Sequence, residues 1–494
     1  MQDGTLLAAV DLGSNSFRLE IGQLRAGHIE RVEYLKETVR LGAGLNDARE
    51  LTEEAMTIGL ACLARFGERL REFDKDQVRA VATQTLREAR NAKDFITRGQ
   101  AVLGFPINVV PGTEEARLIY QGVSHLLPPS DERRLVIDIG GRSTEFVIGQ
   151  RYEAQTMASF KLGSVSWSRR YFESGELSAK CFDRAITAAQ AILDEALDIF
   201  AHEHWDVALG ASGTVSAVAD VLQALRGPSD VIRKDEVHGL IERMIKAKHI
   251  DRLEMDGLKA DRRAVIGGGL SVLASVMDLF NIEAIAPAQG ALRQGALYDL
   301  IERDEEHTDV RERTVRHLQQ RFQVDVTQAD RVRQTAQHLF EQVAKVNRKN
   351  QRYSHKLRWA AMVHEIGTLV SHVDAAEHGA YLLAHVDAPG FALEELQRLS
   401  QLVLAQRGKL RKVEADLADE LFAKQLFALR LATLLCHARR DPDLNTLSCQ
   451  HGSNGFKVRI TREWRDAHPH SALLLENEAH AWQKAAIGYT LEMV

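Results

Sequence analysis

The feature that most constrains this chain occurs twice. Residues 8–19, AAVDLGSNSFRL, run as a hydrophobic strand into Asp11, pass a small polar turn at Gly13, Ser14 and Asn15, and re-emerge alternating Phe17, Leu19 and Ile21 with Arg18 and Glu20. That period of two belongs to a half-buried strand, so the unit reads as a hairpin. Residues 133–149, RRLVIDIGGRSTEFVIG, repeat it: a strand ending in Asp138, a turn at Gly140-Gly141-Arg142-Ser143, and a second strand carrying Glu145. The separation is far longer than a solenoid period and suits a duplicated domain. A Walker loop would require a lysine and a following helix, and neither hairpin has them. Asp and Gly also make ordinary turns, so one hairpin alone decides little. Two copies sharing D-[LI]-G and a following serine point instead to paired carboxylates across a cleft. There they would hold a hard cation or orient water while turn amides take phosphate oxygens.

Between and after the hairpins, helical and strand patterns interleave, which predicts α/β halves built on mixed sheets. The 494 residues, at roughly 150 per domain, suggest about three domains. Past residue 303 the chain turns charged, glycine-poor and helical to about residue 435, and NTLSCQHGSNGFKVRITREW then suggests a small terminal sheet. The expected domains are 1–125, 126–303, 304–440 and 441–494. A formal net charge of −6 gives no global attraction for polyanions, so an anionic ligand needs a local site and nucleic acid is not an expected partner. Four cysteines without a CxxC pair indicate no disulfide framework. The chain opens directly into a strand, and LFALRLATLLCHARR is broken by Arg430 and too short to span a bilayer. The expected setting is cytoplasmic.

In GTEEARLIYQG, Thr113 reads as a helix N-cap with Glu114 and Glu115 in the first turn. Acids there favour the helix dipole and need no further role, although a base could occupy the same place. Glu145 faces either solvent or the cleft.

Taken together, DLGSNS, TLREARN, EEARLIYQGV, DIGGRSTEFVIG, LGASGT and GALRQG resemble the exopolyphosphatase / guanosine pentaphosphate phosphohydrolase family, of the sugar kinase, chaperone ATPase and actin superfamily. The resemblance runs through residues 6 to about 300 and continues more loosely to the end. It implies two actin-like (ribonuclease H-like) α/β domains with the active site between them, then an all-α HD-phosphohydrolase-like domain and a small C-terminal α+β domain. It also implies Mg²⁺-dependent hydrolysis of a terminal phosphoanhydride, with a monovalent cation as a second candidate ion. Glu115 matches the general base. Asp138 and Glu145, with Asp11, match metal and water ligands. Asp11, Ser14 and Asn15, Gly140, Gly141 and Ser143, and Gly213 and Thr214 match phosphate contacts, and Arg87 and Arg262 match basic residues on the anionic substrate.

Two positions depart from the family pattern. Arg142 replaces a small residue in the second turn and either adds an anion contact or points to solvent, and Ser164 replaces a cysteine. In WAAMVHEIGTLVSH, Glu365 follows His364 where an HD dyad needs aspartate, and His355, His372, His378 and His385 are scattered, so a metal-free HD-like scaffold is expected. Inorganic polyphosphate and guanosine penta- or tetraphosphate are the expected ligands, and a homodimer the expected assembly. Polyphosphate leads because the helical extension lengthens the surface for a long chain and no stretch reads as a guanine pocket. Two further readings are an ATP-dependent small-molecule kinase, with VIGGGLSVL as its adenosine site, and a non-catalytic sensor of the same anions.

Overall fold

A computed structural model describes residues 1–303, 308–347, 350–445 and 447–493. It divides into two compact units, 1–309 and 310–494. The domain boundary expected at 303/304 borders residues 304–307, which lie outside the described residues.

The first unit contains two sheets of matching topology. In the first, β1 (Leu6–Leu12), β2 (Phe17–Arg25) and β3 (His28–Glu37) form an antiparallel meander, and β4 (Val78–Ala82) and β5 (Ile107–Val109) extend it in parallel, in the order β3-β2-β1-β4-β5. The second repeats this with β6 (Arg133–Ile139), β7 (Thr144–Gln150), β8 (Glu153–Phe160), β9 (Val207–Ala211) and β11 (Ala284–Pro287). Its one addition is β10 (Ile232–Arg233), antiparallel on the far edge. The duplication read from two turns is thus a duplication of whole sheets.

Strand alternation sorts each sheet into an own-core face and a shared face. Ala8, Val10 and Leu12 enter the core of the first half, while Leu7 and Ala9 enter a joint core with Val136, Val147 and Leu209 of the second. Asp11 continues the Leu7–Ala9 face and Asp138 continues that of Val136, so period-2 geometry alone aims both aspartates at the same side.

Two helices occupy the joint, and they are exchanged. Helix Gly112–Ser124 leaves β5 of the first sheet and packs on β7 and β8 of the second. Helix Leu292–Arg303 leaves β11 of the second sheet and packs on β1 and β4 of the first. They cross closely because Gly122 and Gly295 bear no side chain, and a Cβ on either would run into the opposing helix's backbone. The helix starts at Gly112 with Pro111 as N-cap and no side-chain cap, so the expected Thr113 cap is corrected.

The VIGGGLSVL stretch lies at the start of the buried helix Ile266–Leu279, where Gly268 lets the backbone of Ser164 and Ser168 approach. Its glycines are buried and allow close helix packing at the stretch offered for adenosine in the kinase reading.

In the second unit, helices pack around one large core that also takes in the sheet of β12 (Leu447–Gly452), β13 (Gly455–Ile460) and β14 (Tyr489–Met493), ordered β12-β13-β14. Arg430, the charge that interrupts an apolar helix, is buried against Glu478 and donates to the carbonyls of Ala405 and Gly408. His364 is buried, with Nδ1 2.8 Å from the Ala361 carbonyl, and the guanidinium of Arg439 holds Glu365 at 3.0 and 3.2 Å.

Candidate active site

Between the two sheets of the first unit opens a cleft of about 500 Å³. Asp11, Ser14 and Asn15 line it from the first turn, and Asp138, Gly140, Gly141, Ser143 and Glu145 from the second hairpin. Glu115, Gly213 and Arg262 complete the set of expected residues on its walls.

The turns are shaped for anions. The carbonyls of Ser14 and Asn15 accept from the amides of Gly42 and Arg40, and those of Gly140 and Gly141 accept from Ser164 and Val165. The amides of Ser14, Asn15, Gly141 and Arg142 donate to no backbone carbonyl among the described residues, so they are available to phosphate oxygens. Ser212 opens helix Ser212–Arg226 with φ of 75°, a left-handed conformation that side chains rarely adopt, and it lines the cleft with Asp138. The Arg262 guanidinium lies against Gly213, where a Cβ would otherwise stand.

The two hairpins differ in one respect. Directly across from Asp11 stands Arg18, and directly across from Asp138 stands Glu145. Asp11 Oδ2 accepts from Arg18 at 3.1 Å and Arg293 at 3.5 Å, so its charge is compensated. Asp138 and Glu145 face each other as like charges, and Ser159 donates to Glu145 Oε1 at 2.9 Å. Burial first, then the charge of Glu115, pushes Asp138 up to about 7. Burial, with Glu115 and Asp138, raises Glu145 well above the usual range. Burial also raises Glu115, opposed by the Arg87 guanidinium.

Two expected contacts are placed elsewhere. Arg87 lies off the cleft wall, with Nη1 donating to Glu115 Oε2 at 2.7 Å and the Val110 carbonyl at 2.8 Å, so it grips the carboxylate of the expected base. Thr214 is buried, and its hydroxyl donates to the Ile139 carbonyl at 3.3 Å. Arg142 pairs with Glu88 at 2.6 Å and reaches the Gly42 carbonyl at 3.3 Å, joining the second turn to the first half rather than pointing to solvent.

Glu114 is not the solvated cap its position suggested. It is fully buried and meets Arg117 at 2.7 and 2.9 Å and Arg79 at 3.1 Å, and Asp299 pairs with Arg79, Arg117 and Arg303. This network ties the helix bearing Glu115 to β4 and to helix Leu292–Arg303. Sequence reasoning also missed Arg18, Arg31, Tyr34, Lys36 and Arg293 on the cleft wall. Alternation along β2 and β3 contained that signal, because Arg18 occupies the face opposite Phe17 and Leu19.

Arg87 pairs with Glu115 and the charge of Arg18 reaches Asp138, and the hard oxygen donors of Glu115, Asp138 and Glu145 fit a divalent cation. No three His, Cys, Asp or Glu among the described residues converge as a ready-made metal cage.

Two sheets of this order around such a cleft define the actin-like α/β fold. Solved structures with it include an exopolyphosphatase from Cytophaga hutchinsonii (TM-score 0.54, 24% identity, covering 60% of this chain and 98% of that one). An Aquifex aeolicus Ppx/GppA family member matches similarly (0.53, 22%, 61% and 99%). Residues 21–304 match the Ppx/GppA phosphatase family, and residues 310–479 match domain III of the Ppx/GppA phosphatases. The guanosine-5'-triphosphate,3'-diphosphate pyrophosphatase of Photobacterium profundum is 37% identical over 96% of this chain and 95% of its own length. The chain belongs to the Ppx/GppA phosphatase family and is a hydrolase of phosphoanhydride bonds. No helix among the described residues is long and apolar enough to cross a membrane.

Proposed function

We propose that the chain releases orthophosphate from the terminal phosphoanhydride of guanosine pentaphosphate and of inorganic polyphosphate, using a divalent cation, Mg²⁺, in the cleft of its first unit. The observation that carries this reading is Glu115, gripped by Arg87 at 2.7 Å on the wall of a cleft it shares with Asp138 and Glu145, between two turns with open amides. The extent of the match to the Photobacterium pyrophosphatase supports guanosine pentaphosphate as a substrate alongside polyphosphate.

The turn amides and Arg262 hold the phosphate oxygens, and Asp138 and Glu145 hold the cation. When bound, that ion neutralises phosphate charge. Glu115 takes a proton from a water aligned with the terminal phosphorus. The water oxygen bonds to phosphorus as the bond to the bridging oxygen breaks, and the leaving chain carries away the electron pair. Little covalent work falls to the protein, so placement and charge carry the catalysis. Arg87 keeps the carboxylate aimed, and the raised affinity of Glu115 for a proton suits a base working near neutral pH.

The test is phosphate release in Mg²⁺ from polyphosphate, guanosine pentaphosphate and ATP side by side. Turnover of the first two, lost by about 10²–10⁴-fold in Glu115→Gln, is the expected result. Tight binding of either anion without turnover would establish a sensor instead, and phosphorylation of a small acceptor by ATP a kinase.

A further inference from the structure

Tyr34, on β3, is the one aromatic side chain among the described residues lining the cleft. It is 40% exposed, and hydrolysis of an inorganic chain gives a ring no task. Two guanidinium groups flank it, with Cζ of Arg293 5.2 Å and Cζ of Arg31 5.5 Å from its centroid.

The two arginines differ. Arg293 is half-buried and fixed by Glu20 at 3.2 Å and Asp11 at 3.5 Å. Its guanidinium therefore lies between Asp11, at the entry to the first turn, and the Tyr34 ring. Arg31 has a side chain 56% exposed and one polar contact among the described residues, to Glu20 Oε1 at 3.3 Å. Glu20 Oε2 is held independently by Arg293 and by Gln294 at 2.6 Å. Arg31 can thus turn toward a ligand without stranding a buried carboxylate.

We propose that Tyr34 and Arg31 form a base shelf: Tyr34 stacks the purine of a guanosine polyphosphate and Arg31 forks onto its O6/N7 edge. An aromatic face accepts any base, and a guanidinium matches the two acceptors of guanine. The pair therefore sets the preference for a guanine nucleotide over inorganic polyphosphate. This rests on the phosphohydrolase reading above and adds the residues that choose between its two substrates.

The experiment is steady-state phosphate release from guanosine pentaphosphate and from short polyphosphate by wild type, Tyr34→Ala, Tyr34→Phe and Arg31→Ala. Loss of the stack should raise KM for guanosine pentaphosphate by roughly tenfold in Tyr34→Ala. Tyr34→Phe, which keeps the ring, should stay near wild type, and Arg31→Ala should weaken guanosine pentaphosphate more than the adenine analogue. KM and kcat for polyphosphate should remain within about twofold, which also shows that each variant is folded. Equal changes on both substrates, or an unmoved KM for the nucleotide, overturn the shelf. Wild type inert on both substrates overturns the phosphohydrolase reading instead.

Discussion

Adjacent glutamates at 114 and 115 should separate stability from chemistry. Glu114 is fully buried with Arg79, Arg117 and, through Asp299, Arg303 around it. Burial alone would raise its carboxyl, but Arg117 and then Arg79 outweigh that and hold it below the usual range. Glu114→Gln keeps the shape and removes one of the two carboxylates that both Arg79 and Arg117 contact. Breaking a buried pair by removing one partner costs about 3–5 kcal/mol, and the amide retains a neutral hydrogen bond, so about 3 kcal/mol is expected. For a unit of this size that is a fall in Tm of about 5 °C. Glu115→Gln removes a carboxylate whose ionisation burial already disfavours, so its Tm should not fall while kcat drops by about 10²–10⁴-fold. Thermal unfolding and phosphate release at 25 °C on the same preparations read both quantities. Glu114→Gln with an unchanged Tm and a kcat as low as that of Glu115→Gln would show that the network does not anchor the helix.

Three more expectations follow from the same geometry. Asp138 in the fold holds its proton up to about 7, whereas an unfolded aspartate releases it near about 3.9. Metal-free protein should therefore lose stability as pH rises from about 4 to 7. The Tm gained on adding Mg²⁺ should be larger at pH 8 than at pH 5 and largely absent in Asp138→Asn; a gain independent of pH would show that the ion binds elsewhere. A fragment of residues 1–309 should unfold in one cooperative transition and keep turnover on guanosine pentaphosphate while losing preference for long polyphosphate; equal rates on long and short chains would take the second unit out of substrate handling. Protein purified without chelator should carry no stoichiometric Zn, Mn or Fe, and His364→Ala should cost about 1–3 kcal/mol through the partner left at Ala361 without changing hydrolysis; one transition metal per chain, lost in that variant, would reveal a second metal site.

The duplicated hairpins were legible because period-2 alternation and a shared turn are local signals. They also located the cleft, since alternation dictates the face each aspartate takes. Glu114 and Glu115 could not be told apart locally: both suit a helix start, and only β4 and a helix near residue 299 make one of them structural. Arg87 was read as a substrate contact because its motif names the residue and not the direction of its side chain, which points at Glu115. Tyr34 was overlooked because an aromatic in a charged edge strand reads as surface until the second half closes over it. The HD-like region was read from an altered dyad, whose Glu365 is held by the Arg439 guanidinium.

The exchanged helices bear on how the chain is made. During synthesis the first sheet emerges with its strands in place by residue 109, yet the helix that covers its β1–β4 face begins only at Leu292. At about 5–20 residues per second, the ribosome leaves that apolar face waiting for roughly 10–40 s. The helix made next, Gly112–Ser124, waits in turn for β7 and β8. Neither half can therefore finish folding alone on the ribosome, and chaperones would meet the nascent chain in this interval. A translational pause placed between residues 125 and 290 should lower soluble yield far more than one placed after residue 310.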